Sequence, residues 1–91
     1  MIRRHYEFHG IVQGVGFRWR AQQAAKLYGL TGWVRNEWDG TVTMELQGVP
    51  PLLDKVILIL ENSRHIQIDR IEVRDLPPDP EERSFRNDYG W

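Results

Sequence analysis

Along residues 2–12 apolar and polar side chains alternate. Ile2, Tyr6, Phe8 and Val12 share one parity, while Arg3, His5, Glu7 and His9 share the other. A period of two marks a strand with one buried face. The alternation runs into Gly10, Gly14 and Gly16, a loop open to backbone angles closed to other residues. From Phe17 the period lengthens: Phe17, Ala21, Ala24, Ala25 and Tyr28 fall on one face of a helix, which Gly29 ends as a C-terminal cap. No Ser, Thr, Asp or Asn immediately precedes Phe17. The helix therefore lacks a side-chain N-cap, and its first N–H groups are open to another acceptor.

Trp33–Asn36 and Thr41–Leu46 read as two strands joined by Glu37-Trp38-Asp39-Gly40, with Asp39-Gly40 as the turn signal. Pro50-Pro51 opens a second helix over residues 52–62. The run Val56–Leu60 suits a strand by composition, yet Leu53, Val56, Ile57 and Leu60 keep the 3.6-residue period, and helix is the reading adopted. Ile66, Ile68, Ile71 and Val73 mark another strand whose parity slips between Ile68 and Ile71, as a bulge or a late strand start would make it. Pro77, Pro78 and Pro80 with Asp75, Asp79, Glu81 and Glu82 form a surface loop, and a short final strand includes Phe85 and Tyr89, its pairing open. The order strand–helix–strand–strand–helix–strand predicts an α+β fold, the ferredoxin-like βαββαβ sandwich: two helices on one face of a mostly antiparallel sheet, plus the short extra strand.

Ninety-one residues make one domain, 1–91, with no internal repeat or linker. The formal net charge of −1 argues against a polyanion as main partner, so no nucleic acid is expected. The absence of cysteine removes disulfides, thiolate metal sites and Cys nucleophiles. No apolar stretch approaches the roughly 18 residues of a membrane span, and the N-terminus has no apolar signal core. No membrane partner and a cytoplasmic location follow as expectations.

The segment with chemical content is Gly10–Arg18, a glycine-rich loop leaving a strand and entering an uncapped helix with an arginine in its first turn. Unpaired amides and the positive helix end suit an anion, and a guanidinium offers planar donors that match phosphate oxygens. An ordinary strand-to-helix turn with an exposed arginine is the plainer reading. The loop is no Walker A motif, lacking Gly-Lys-Ser/Thr, and its glycine spacing does not fit Gly-x-Gly-x-x-Gly.

Gly10-x-Val12-Gln13-Gly14-Val15-x-Phe17-Arg18 resembles the first signature of the acylphosphatase family. Gly32-Trp33-Val34-Arg35-Asn36, followed by Gly40-x-Val42 and Gly48, resembles the second. The likeness extends over nearly the whole chain. It implies hydrolysis of the carboxyl-phosphate anhydride of an acyl phosphate, with Arg18 and Asn36 catalytic. The loop Gln13, Gly14, Val15 and Gly16, leading into Phe17, would bind phosphate through its amides, Arg18 would hold the oxygens, and Asn36 would orient the attacking water. It also implies no metal and no cofactor, with inorganic phosphate as product or competitive inhibitor; a monomer is the expected state. Phe8 stands where the first signature usually has an aliphatic residue, and the tail Phe85–Tyr89 is more polar than the family's usual last strand.

Similar motifs occur in the N-terminal domain of hydrogenase-maturation carbamoyltransferases, so a non-catalytic or carbamoyl-phosphate-handling phosphate-binding module is the alternative. The absence of partner domains before Trp91 favours the free enzyme. An RNA-recognition domain shares the topology, but its aromatic motifs lie on central strands, whereas Gly14–Trp19 enters a helix. His5 and His9 share a strand face without an acidic or third histidine partner at ligand spacing, which argues against metal. Trp33 and Trp19 are read as packing residues, Trp19 alternatively as a wall of the site. Trp38 is placed at the hairpin tip and also counted among the packing tryptophans.

Overall fold

A computed structural model of the chain describes residues 1–88. In order it forms β1 (Ile2–Ile11), α1 (Phe17–Leu27), β2 (Thr31–Asn36), β3 (Val42–Gly48), α2 (Pro50–Glu61), β4 (Gln67–Leu76) and β5 (Phe85–Asp88). The strands make one sheet in the order β4-β1-β3-β2-β5, antiparallel except that β5 runs parallel to β2. This is the ferredoxin-like arrangement with an added edge strand. Tyr89, which the sequence pattern assigned to the last strand, lies outside the described residues. No described helix is long and apolar enough to cross a membrane.

The core lies between the sheet and the two helices. Phe8, Val34, Val42, Met44 and Leu46 of the sheet meet Ala21 and Ala25 of α1 and Leu53, Val56 and Leu60 of α2, all fully buried. Each such large apolar side chain contributes about 1.5–3 kcal/mol through removal from water. Phe8, the departure from the usual signature, stacks with Tyr6 at 5.9 Å between centroids and meets Phe17 at 4.8 Å. An aromatic run thus ties β1 to the first turn of α1. The 3.6-residue period of Leu53–Leu60 prevailed over the strand-like composition of that run, and the helix begins at Pro50, before residue 52.

The parity slip in β4 is a bulge. His9 pairs with Arg70 and Gly10 with Ile68, leaving Asp69 unpaired. Gly10 is required here: its φ is 135°, and a Cβ would lie 2.2 Å from the Gln67 carbonyl oxygen. The bulge bends β4 where it flanks the end of β1, just before the glycine loop.

One parity expectation fails. Arg3, placed on the solvent face, is only 7% exposed. The chain must travel from β4 at one edge of the sheet to β5 at the other. Residues 77–84 make that crossing over the helix-free face, along the row where Arg3 pairs with Gln47 and Gln47 with Thr31. The amides of Gln47 and Asp79 exchange two hydrogen bonds, at 2.8 and 2.6 Å. Arg3 donates to Glu82 at 2.7 and 3.2 Å and to Glu45 at 3.0 Å, and the Glu82 side chain is 4% exposed. The acidic loop is therefore partly a lid on the sheet.

Burial pushes the Glu45 carboxyl up, but hydrogen bonds from His5 and Arg3 outweigh it and hold the group below its ordinary 4.5. A carboxyl so depressed binds its proton less readily folded than unfolded, so acid favours unfolding. Its contribution is complete above about pH 4.5 and is lost as the pH falls through the lower folded value. Glu45→Gln is expected to make this acid limb shallower and to cost about 1 kcal/mol at pH 7, read by urea titration from pH 2 to 8.

Candidate active site

A cavity of about 290 Å³ opens where β1 turns into α1. The loop supplies Val12, Gly14 and Gly16, the first turns of α1 supply Phe17, Arg18, Trp19 and Gln22, and the strand ends supply Asn36 and Asn87. Gly14 and Gly16 have φ values of 72° and 80°, the left-handed region that glycine enters without cost. A Cβ at either would meet nothing within 4 Å, so backbone conformation, not crowding, is what requires glycine there. Gly16 is the N-cap of α1 and makes no side-chain cap bond, as the sequence predicted. The backbone N–H groups of Gln13, Gly14, Val15 and Gly16 donate to no described residue. Successive amides left open in turn conformation form a concavity suited to an anion, reinforced by the helix dipole.

Of the residues singled out from sequence, Gly14, Gly16, Phe17, Arg18 and Asn36 share this cavity. The Gln13 side chain turns away, donating to the carbonyls of Glu37 at 2.7 Å and Thr41 at 2.9 Å, which braces the loop against the β2–β3 hairpin. Val15 packs against the core. Only the backbone of these two residues is left for a ligand. Asn36 ends β2 in register with Val42, and its side-chain amide bonds to no described residue. The Gln13 brace therefore sets loop and Asn36 relative to one another.

Around this hairpin the polar groups are already committed. Arg35 donates to Glu37 at 2.8 Å and Thr43 to the same carboxylate at 2.5 Å, while Asp39 accepts from Thr41 at 2.7 Å to close the turn. Burial pushes the Glu37 carboxyl up, and the Thr43 and Arg35 hydrogen bonds bring it below its ordinary range. Glu37 is thus held ionised and faces away from the cavity lining.

Sequence reasoning missed Gln22 and Asn87 and read Trp19 first as a packing residue. Asn87 was legible: two positions after buried Phe85 on β5, it shares that residue's face and stands beside Val34. Its Oδ1 is buried and accepts no hydrogen bond from any described residue. Trp19 is 60% exposed and forms a wall of the cavity, the alternative reading of that residue. Trp38 sits at the hairpin tip and, at 84% exposure, is not the packing residue it was also read as. Trp33 is half-buried outside the core, on the helix-free face, with the Arg35 guanidinium 5.0 Å from its ring centroid.

The histidines do have acidic partners, contrary to the sequence reading. Pairing of β1 with β4 sets Glu72 opposite Glu7, and His9 Nε2 lies 2.9 Å from Glu7 and 2.8 Å from Glu72. Those atoms fall within 4.8 Å of one another. The partner was invisible because it is 63 residues away in sequence. A depression of about 350 Å³ beside them, lined by His5, Glu7, Glu72, Val73 and Arg74, is larger than the loop cavity. Its two carboxylates make it a poor phosphate site, and it lies on the opposite face of the sheet.

The fold and the cavity define a ferredoxin-like domain with a glycine-rich, arginine-lined pocket at its first strand-to-helix junction. The sequence profile of the Acylphosphatase family matches residues 4–87, and the chain belongs to that family. It is 40% identical over 89 residues to an acylphosphatase of Koribacter versatilis (strain Ellin345), spanning 97% of this chain and 81% of that one. The crystal structure of acylphosphatase from Bacillus subtilis superposes with a TM-score of 0.90 at 30% identity, covering 98% of this chain and 100% of that chain. The structure of HypF from T. kodakarensis matches with a TM-score of 0.83 at 31% identity, covering 97% of this chain but 12% of that one.

Proposed function

We propose that this domain hydrolyses acyl phosphates to a carboxylate and inorganic phosphate, without metal or cofactor. The observation that carries the reading is the convergence of the Gly14–Gly16 loop, Arg18 and Asn36 on one cavity whose described lining contains no carboxylate, imidazole or thiolate. Such a lining offers a phosphate donors and positive charge, and offers a metal ion no strong ligand.

The amides of residues 13–16 and the Arg18 fork hold the phosphate oxygens. Asn36 orients a water for in-line attack on phosphorus. The new P–O bond forms as the bond to the acyl oxygen breaks, and the electron pair departs with the carboxylate. The water's proton passes to a phosphate oxygen. A carboxylate is a good leaving group, so no general acid is needed, and positioning with charge stabilisation carries the catalysis. Inorganic phosphate, sharing the substrate's anionic end, competes for the same pocket.

Hydrolysis of benzoyl phosphate in ¹⁸O-labelled water tests the bond assignment. Label is expected in inorganic phosphate and not in benzoate. Label in benzoate means attack at the carbonyl carbon and removes the role given to Asn36.

A further inference from the structure

Beside the phosphate cavity lies a second, apolar one of about 220 Å³, lined by Trp19, Arg20, Gln23, Ala24, Leu27 and Ile59. The two share a single wall, Trp19. Trp19, Gln23 and Leu27 recur every fourth residue and form a ridge along α1, and Ile59 of α2 faces it across the groove. From Trp19 to Leu27 the ridge runs about 12 Å, at about 1.5 Å per residue. Trp19 is 60% exposed and Leu27 72% exposed, so two large apolar side chains stand open to solvent along it. Arg20 is the sole charged residue of the described lining.

We propose that this groove is the acyl subsite, so that the substrates are acyl phosphates with aromatic or medium-chain aliphatic acyl groups. The inference rests on the phosphate placement proposed above. In-line displacement puts the entering water and the leaving acyl oxygen on opposite sides of phosphorus. The acyl group therefore leaves the phosphate cavity by a wall other than the one Asn36 occupies. Asn36 and Asn87 form the strand side, whereas Trp19 and Gln22 form the helix side. Past Trp19 the helix side continues directly into the groove. An acetyl or carbamoyl group is too short to follow it, while a benzoyl ring lies against the indole and a dodecanoyl chain extends along the ridge as far as Leu27. Arg20, positive at the groove, suits the carboxylate that the reaction releases.

The test is the ratio of kcat/KM for benzoyl phosphate to that for acetyl phosphate, measured in wild type and in Trp19→Ala. A ratio reduced about 10-fold, chiefly through KM for benzoyl phosphate, is expected, the scale of one lost apolar contact surface. Leu27→Asp alters an exposed side chain at the far end of α1 and bypasses any folding defect of the first variant. It is expected to lower the dodecanoyl-to-acetyl ratio about 10-fold and the benzoyl-to-acetyl ratio less than 2-fold. Ratios equal to those of wild type in both variants overturn the subsite while leaving the phosphate site intact. A wild type that turns over none of these substrates overturns the hydrolase reading, and the subsite falls with it.

Discussion

Arg18→Gln is expected to lower kcat/KM for an acyl phosphate by about 10²–10³-fold, the usual consequence of removing one donor aimed at developing charge. Arg18 stands in the first turn of α1, where the dipole and the open amides of residues 13–16 already favour an anion. The guanidinium adds a full charge and two parallel donors in fixed geometry. Glutamine supplies neither. Arg18→Lys keeps the charge and loses the fork, so it too is expected to fall by at least about 10-fold. Inhibition by inorganic phosphate should weaken in both variants, because the same contacts hold ground-state phosphate. Steady-state kinetics with a thermal-melt control decides the matter. Near-wild-type turnover by a folded Arg18→Gln protein would sink the role assigned to this residue.

Asn36→Ala is expected to behave differently, and the contrast is informative. Asn36 ends β2, and its backbone pairing with Val42 does not depend on the side chain. An amide that orients water acts in the transition state and touches the phosphate ion little. The variant should therefore lose about 10²-fold in kcat with KM and phosphate inhibition nearly unchanged. A fall in phosphate affinity equal to that of Arg18→Gln would make Asn36 a phosphate ligand and leave the water without its proposed orienter.

What the sequence revealed depended on how local each feature is. The strand–helix period change at Phe17, the missing N-cap and the slip between Ile68 and Ile71 are all decided within a few residues, and each has its structural counterpart. The helix over Val56–Leu60 was legible for the same reason, since its period outweighed its composition. Arg3 was misplaced because its burial comes from Glu82, brought back across the sheet by the loop 77–84. Likewise Glu72 meets His9 only through strand pairing, and Ile59 faces the Trp19 ridge only through helix packing. Periodicity carries no information about contacts of that range.

The candidate site shows the same division. Gly14, Gly16 and Arg18 belong to one continuous segment and were found together. Asn36 was found through its resemblance to a known signature, not through any spacing rule. Asn87 was within reach of strand parity, but the polarity of Phe85–Asp88 drew attention to its pairing and away from its face. Gln13 was expected at the phosphate through its backbone amide; its side chain has a separate role, anchoring the loop to Glu37 and Thr41, a tertiary contact no local pattern encodes.

The most direct test of the central claim is hydrolysis of benzoyl phosphate by the purified protein in the presence of EDTA, with inorganic phosphate as competitor. The account predicts rapid turnover insensitive to the chelator, competitively inhibited by phosphate and lost in Arg18→Gln. Turnover that EDTA abolishes and a divalent cation restores would contradict it, as would a folded protein that binds phosphate at the Arg18 pocket and hydrolyses nothing.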